Sequence, residues 1–227
     1  ESVFVSGNGK IIVAIKDEFI YSRRTNDALV HTPPMNVDLS KASLALSQNG
    51  ETLGVVAGVK CRIAQLGTFF EGDSEVVGRF TTTNSPPVAI AVDATRLAIV
   101  RDNMTLELFE IGEKTKRSAS MSGQYVCIAL PNLTQVVAAT QNKVFVWTDD
   151  FPNNAMEYEG VQDPIVVGMM HEKPVIIGRG GDLIYYTNKL LNRKSLDLAG
   201  DVLFASVSSS GKKIAIVVGA TLFRYDI

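Results

Sequence analysis

An all-β repeat fold is predicted by this sequence, on three observations. Tyr21, Ala64, Phe109, Trp147, Tyr186 and Tyr225 each close an apolar run, at spacings of 43, 45, 38, 39 and 39 residues by subtraction of their numbers, and a period of about 40 residues belongs to a repeat architecture. The apolar runs are short, rich in β-branched residues and bounded by Gly, Asn, Asp and Ser, which is the pattern of strands and hairpins rather than of helices. The middle run of each unit is apolar at successive positions, as in a strand covered on both faces. Together these predict a β-propeller: six recognisable blades of four strands, either as a complete ring or as a six-unit portion of a seven-blade ring.

The units fall at about residues 1–35, 36–80, 81–118, 119–158, 159–198 and 199–227 of one propeller domain spanning 1–227. In the first, Val3–Ser6 leads through Gly7–Asn8–Gly9 to Ile11–Ile15 and then Phe19–Tyr21. The second runs from Leu44–Ser47 to Leu53–Ala57 and Cys61–Ala64, and the third from Val88–Ala91 to Leu97–Val100 and Leu106–Phe109. The fourth unit holds Val126–Ala129, Val136–Ala139 and Val144–Trp147, and the fifth Ile165–Gly168, Val175–Gly178 and Leu183–Tyr186. The last is Phe204–Ser208, the turn Ser209–Lys212, Ile214–Val218 and Leu222–Tyr225. Fourth, outer strands are expected in the mixed-polarity connectors at Ala28–Val30, Glu75–Val77 and Lys194–Leu198; Pro33–Pro34 and Pro86–Pro87 follow the first two and end pairing there.

Composition narrows the function. A formal net charge of -2 opposes a nucleic-acid binder that works by neutralising many phosphates. With 46% hydrophobic and 20% charged residues there is ample apolar surface for a core. The two cysteines, Cys61 and Cys127, lie inside apolar runs and form no C-x-x-C pair, so buried free thiols in a reducing, cytoplasmic setting are expected. Every apolar run is interrupted well short of the roughly 20 residues of a membrane span. The chain opens on Glu1-Ser2-Val3-Phe4 at the first strand of a unit and stops at the third strand of another, so a longer native polypeptide, or a larger complex, is expected.

The stretches from Val126 to Trp147 and from Ser208 to Ile227 resemble WD-repeat propellers, a likeness that extends over essentially the whole chain. Members of that family carry Gly-His near the start of a repeat and Trp-Asp at its end. Here there is no Gly-His, and Tyr225-Asp226 is the one close substitute for Trp-Asp, which puts the family's hydrogen-bonded side-chain network in doubt and leaves blade stability to apolar packing. Within the family, Val5 to Ser22 is similar to the first blade of the second propeller in actin-interacting WD-repeat proteins, which implies regulation of actin filaments. Residues 141–147 resemble propellers of the chromatin-factor type, whose repeats are longer.

Catalytic and metal chemistry find little to build on. His31 and His171 sit in different units without Cys, Asp or Glu at ligand spacing. Gly178-Arg179-Gly180-Gly181 lacks the Lys-Ser/Thr of a phosphate loop and reads as a turn. No G-x-S-x-G occurs, and Asp149-Asp150 belongs to an exposed connector. An enzyme working in a central channel is the competing class, and the apolar first strands disfavour it. Neither a cofactor nor a metal is therefore expected.

One pattern stands out. The turn between the second and third strands carries a base in five of six units: Lys16, Lys60, Arg101, Lys143 and Arg179, with Asp17, Asp102 and Asp182 close by. In a propeller equivalent turns share a face, so these five are the candidate protein-binding residues, suited to a partner with an acidic surface. The function expected is a non-enzymatic protein–protein interaction scaffold.

Overall fold

The computed structural model describes residues 2–5, 11–16, 19–24, 30–31, 37–47, 49–66, 75–82, 85–111, 116–120, 123, 125–170, 173–187, 190–208 and 212–226. The expected turn at Gly7–Asn8–Gly9, the stretches Ala28–Leu29, Pro33–Pro34 and Ser209–Gly211, and Asp17 and His171 lie outside the described residues.

Antiparallel sheets follow one another along the chain. The first holds β1 (Ser2–Val5), β2 (Ile11–Lys16), β3 (Phe19–Arg24) and β4 (Val30–His31); the second, after a short 3₁₀ turn at Leu39–Lys41, holds β5 (Ser43–Leu46), β6 (Thr52–Ala57), β7 (Lys60–Gln65) and β8 (Glu75–Thr81). The third is built from β9 (Pro87–Val92), β10 (Arg96–Arg101), β11 (Thr105–Glu110) and β12 (Lys116–Ser120), and the fourth from β13 (Tyr125–Ala129), β14 (Gln135–Thr140), β15 (Lys143–Thr148) and β16 (Met156–Glu159). The fifth contains β17 (Pro164–Met170), β18 (Lys173–Gly178), β19 (Asp182–Thr187) and β20 (Leu190–Ser195). The sixth has three strands among the described residues, β21 (Val202–Val207), β22 (Lys213–Val218) and β23 (Thr221–Asp226). In every sheet the strands pair in chain order. No helix of the described residues is long and apolar enough to cross a membrane.

Three expectations change. Outer strands also form at β12 and β16, in segments too polar to read as strands in advance. The fifth outer strand is Leu190–Ser195, so Leu196, Asp197 and Leu198 lie beyond it. Finally, Ala64, Phe109, Trp147, Tyr186 and Tyr225 are each the fifth residue of a third strand, whereas in β3 that place belongs to Arg23 and Tyr21 stands two residues earlier.

The chain divides into two compact units, residues 1–102 with 107–117, and residues 103–106 with 118–227. Within each, packing obeys one rule. Alternate residues of a middle strand point to opposite faces, and the face that carries Ile11 and Val13 in the first sheet rests on Leu53 and Val55 of the second. Val56, Cys61 and Ile63 of the second in turn meet Leu97, Ile99 and Phe109 of the third. In the other unit, Val137, Ala139 and Val144 of the fourth sheet meet Val167, Ile176 and Ile184 of the fifth, and Val175, Ile177 and Leu183 of the fifth meet Ala205, Ile214 and Ile216 of the sixth. We call the face turned toward the following sheet leading and the other trailing. Each such aliphatic side chain contributes about 1.5–3 kcal/mol on full burial.

The marker residues lie on trailing faces. Tyr186 donates its hydroxyl to the Glu159 carbonyl at 2.7 Å, and Tyr225 donates to the Leu196 carbonyl at 3.2 Å, so each ties its sheet to the end of the preceding one. Trp147 stacks on Phe145, meets Phe151 edge-on and donates its indole N–H to the Pro152 carbonyl at 3.2 Å. Two residues past the marker, the backbone N–H of Leu66, Ile111 and Asp149 donates to the carbonyl of Glu51, Thr95 and Thr134 respectively, so the end of the third strand is fastened to the first hairpin turn three times over.

Candidate functional site

The five basic positions separate into three environments. Lys16, the last residue of β2, and Lys60, the first of β7, are exposed and have no ion pair among the described residues. Lys143 opens β15, where the register places Glu159 directly opposite and Glu157 two residues along; its ammonium lies 3.0 Å from Glu157 and 3.1 Å from Glu159. The hydrogen bonds that it donates, first to Glu157 and then to Glu159, hold its pKa above the ordinary lysine value. Arg179, in the turn after β18, pairs with Asp163 at 3.1 Å with both groups half exposed.

Arg101 is the correction. It was expected on an exposed turn, yet its side chain is 0% exposed. It ends β10 on the same alternating face as Leu97 and Ile99, the trailing face that meets the second sheet, so it is directed inward. The sequence offered a signal for this that lies elsewhere: Glu107 is a lone acid inside the apolar run Leu106–Phe109, and a charge in such a run needs an opposite charge buried with it.

The two charges meet in a closed network. Arg101 Nε donates to Glu107 Oε2 at 3.2 Å, Nη1 to the Ser85 carbonyl at 2.6 Å and Nη2 to the Thr82 hydroxyl at 2.9 Å. The Thr82 hydroxyl in turn donates to Glu107 Oε2. Lys116, from β12, reaches Glu107 Oε1 at 2.5 Å. Burial alone would raise the Glu107 pKa, but the hydrogen bonds from Lys116 and Thr82, the Lys116 charge and the Arg101 hydrogen bond outweigh it and hold the carboxyl below the ordinary glutamate value. Beside the network, burial pushes the Cys61 thiol up to about 11 despite the Arg101 charge. Cys127, buried in the other unit, is pushed up to about 12 by the same cause. Both thiols are free and protonated near neutral pH, so neither is an activated nucleophile.

A second buried ion pair caps a hairpin. Asp93 Oδ1 accepts the backbone N–H groups of Thr95 at 2.9 Å and Arg96 at 2.7 Å, and Oδ2 accepts Arg96 Nε at 2.8 Å and Nη2 at 2.6 Å. Asn132 does the first half of this in the fourth sheet, accepting from Thr134 and Gln135. These buried charges hold turns and sheets together. Of the five bases, Lys16 and Lys60 are the two that are exposed and without an ion pair among the described residues. Among the described residues no group of three or more His, Cys, Asp or Glu is placed to hold a metal ion.

Comparison of the chain with models of known protein families and with curated proteins finds no match.

Proposed function

We propose that the chain is a WD-like β-propeller, complete with six blades or forming six units of a seven-blade ring, and that it serves as a non-enzymatic protein-interaction scaffold in the cytoplasm. One observation carries this reading: six antiparallel sheets, five of four strands and one of three, succeed one another with their strands in chain order, and within each compact unit consecutive sheets stack by the same face-to-face rule. Such stacking makes a rigid body whose variable chemistry lies at the hairpin ends, where binding residues are commonly placed. Free, buried thiols suit a reducing compartment. The basic surface offered to an acidic protein partner narrows from five residues to Lys16 and Lys60, because Arg101, Lys143 and Arg179 already face carboxylates.

Affinity capture from the source cell with quantitative mass spectrometry tests the reading. A protein partner is expected that associates faster at low salt, through attraction screened over about 8 Å at physiological ionic strength. The Lys16→Glu/Lys60→Glu variant should slow its association while leaving the fold intact. Recovery of no protein above background, or an unchanged association rate for the variant across a salt series, overturns it.

A further inference from the structure

Five arginines of the chain lie against carboxylates: Arg96 on Asp93, Arg101 on Glu107, Arg117 on Glu110, Arg179 on Asp163 and Arg193 on Asp182. The second sheet breaks this habit. Register sets Arg62 of β7 directly opposite Arg79 of β8, with Lys60 two residues along the same face, and none of the three has an ion pair among the described residues. Like charges placed opposite each other in a sheet repel. Arg62 Nη1 donates to the Cys61 carbonyl at 2.9 Å, which uses one arm of its guanidinium. The cross-strand row runs Val55, Arg62, Arg79 on the trailing face: Val55 is packed on the first sheet, Arg62 is half-buried, and Arg79 and Lys60 are exposed. The bases therefore line the outer part of the seam between the first and second sheets, inside one compact unit. Across that seam the leading face of the first sheet carries Ser22, in one row with Val13. Ser22 is the fourth residue of its strand, where the next four sheets have Ile63, Leu108, Val146 and Tyr185. It is 0% exposed and its hydroxyl has no hydrogen-bond partner, although a buried polar group is ordinarily paired.

We infer that the seam between the first and second sheets binds a phosphomonoester, a phosphorylated serine or threonine of a partner protein, held by Arg62, Arg79 and Lys60 with the Ser22 hydroxyl donating at the inner end. The chemistry of the occupant follows from the charge count. Three bases face one strip, whereas a carboxylate brings a single charge and two oxygens. A phosphomonoester brings about −1.5 to −2 charges near neutral pH and three terminal oxygens, and the planar arginine fork meets two such oxygens at once. An anion seated between Arg62 and Arg79 turns their repulsion into two attractions, and it gives the Ser22 hydroxyl an acceptor. The net charge of -2 opposes a nucleic-acid backbone as the source of phosphate. A protein source follows from Lys60, which belongs to the surface already proposed for a protein partner, and the inference rests on that reading for this point alone.

The test titrates the whole chain, followed by nuclear magnetic resonance, with inorganic phosphate and with a short glycine-flanked phosphoserine peptide, its unphosphorylated form and its glutamate form. The phosphopeptide and phosphate are expected to bind saturably, with shifts centred on β3, β7 and β8, and the unphosphorylated peptide not at all. Arg62→Gln or Arg79→Gln should weaken phosphopeptide binding about tenfold or more, and affinity should fall as pH drops below about 6, where the phosphate takes up its second proton. In the free chain, Arg62→Gln, Arg79→Gln and Ser22→Ala should each leave the Tm unchanged or raise it, because each removes a repulsion or an unpaired hydroxyl, while Ser22→Ala should still weaken phosphopeptide binding. Absence of saturable binding, or binding indifferent to Arg62→Gln and Arg79→Gln, overturns the site. A glutamate peptide that binds as tightly as the phosphopeptide overturns the phosphate assignment, and Ser22→Ala without effect on binding overturns the role of its hydroxyl. Vesicles bearing a phosphatidylinositol monophosphate that bind through Arg62 and Arg79 when the phosphopeptide does not overturn the protein source. Because every probe is synthetic, failure of the capture experiment and failure here are read separately.

Discussion

Replacing Glu107 by Gln should destabilise the first compact unit severely, because it removes the one carboxylate that balances a fully buried guanidinium. Arg101 would keep its bonds to the Ser85 carbonyl and the Thr82 hydroxyl, but its charge, 0% exposed, would lose its counterion, and the single amide oxygen of glutamine could serve either Lys116, now 2.5 Å from one carboxylate oxygen, or Arg101 and Thr82 on the other side, but not both. Breaking a buried pair by neutralising one partner costs about 3–5 kcal/mol. With a urea dependence of about 2 kcal/mol per molar, that displaces the unfolding midpoint by roughly 1.5–2.5 M. Circular dichroism follows the unfolding globally, and pulsed labelling of Cys61, which lies beside the network, reports it locally. Acidity gives a further check. The folded pKa of Glu107 lies below its ordinary value of 4.5, so its stabilisation is complete above that value and is lost as pH falls below it toward the folded pKa; the gap between the natural chain and Glu107→Gln should therefore narrow below pH 4.5. The double variant Arg101→Met/Glu107→Leu, which removes both charges and keeps their volume, should recover most of the loss. A Glu107→Gln chain displaced by less than about 0.5 M urea, with Cys61 no more accessible, would show that Arg101 is solvated after all.

Trp147→Ala should cost about 3–5 kcal/mol, since the ring is buried between Phe145 and Phe151, whereas Trp147→Phe should lose only the bond to Pro152, about 1 kcal/mol; urea midpoints of the two variants check the ratio. A methyl group added at Gly168 would meet three atoms of the Val207 side chain, the nearest at 3.0 Å, and because valine is stiff at χ1 the fifth and sixth sheets must part, costing about 1–3 kcal/mol in Gly168→Ala; a melting temperature equal to that of the natural chain would show the interface to be loose. Cys61 and Cys127, with pKa values pushed up to about 11 and about 12 by burial, should react with a thiol reagent at pH 8 only as fast as the protein opens, and labelling at the rate of a free thiol would place them at the surface.

What the sequence determined by itself is whatever depends on neighbours along the chain. The middle strands and their hairpins are legible because β-branched runs ended by turn residues specify local conformation, and the 38- and 39-residue spacings from Phe109 onward are those of structurally equivalent residues. Tyr21 shows the limit, since an aromatic ring can serve a trailing face from either of two like-facing positions, and only the register of Ala14 against Tyr21 and of Ile12 against Arg23 tells them apart. The polar outer strands β12 and β16 were illegible for a similar reason: Lys116, Glu157 and Glu159 join their sheets through ion pairs with Glu107 and Lys143, partners distant in sequence. At the candidate site the sequence placed five bases in equivalent turns, but tertiary structure decided their fates, because charge is a property of a residue while exposure is a property of what stacks on it. Arg101 is enclosed by the sheet before it. Leu222, identical in type to Leu183 and Leu106, differs from them by one circumstance: they are covered, and it is not.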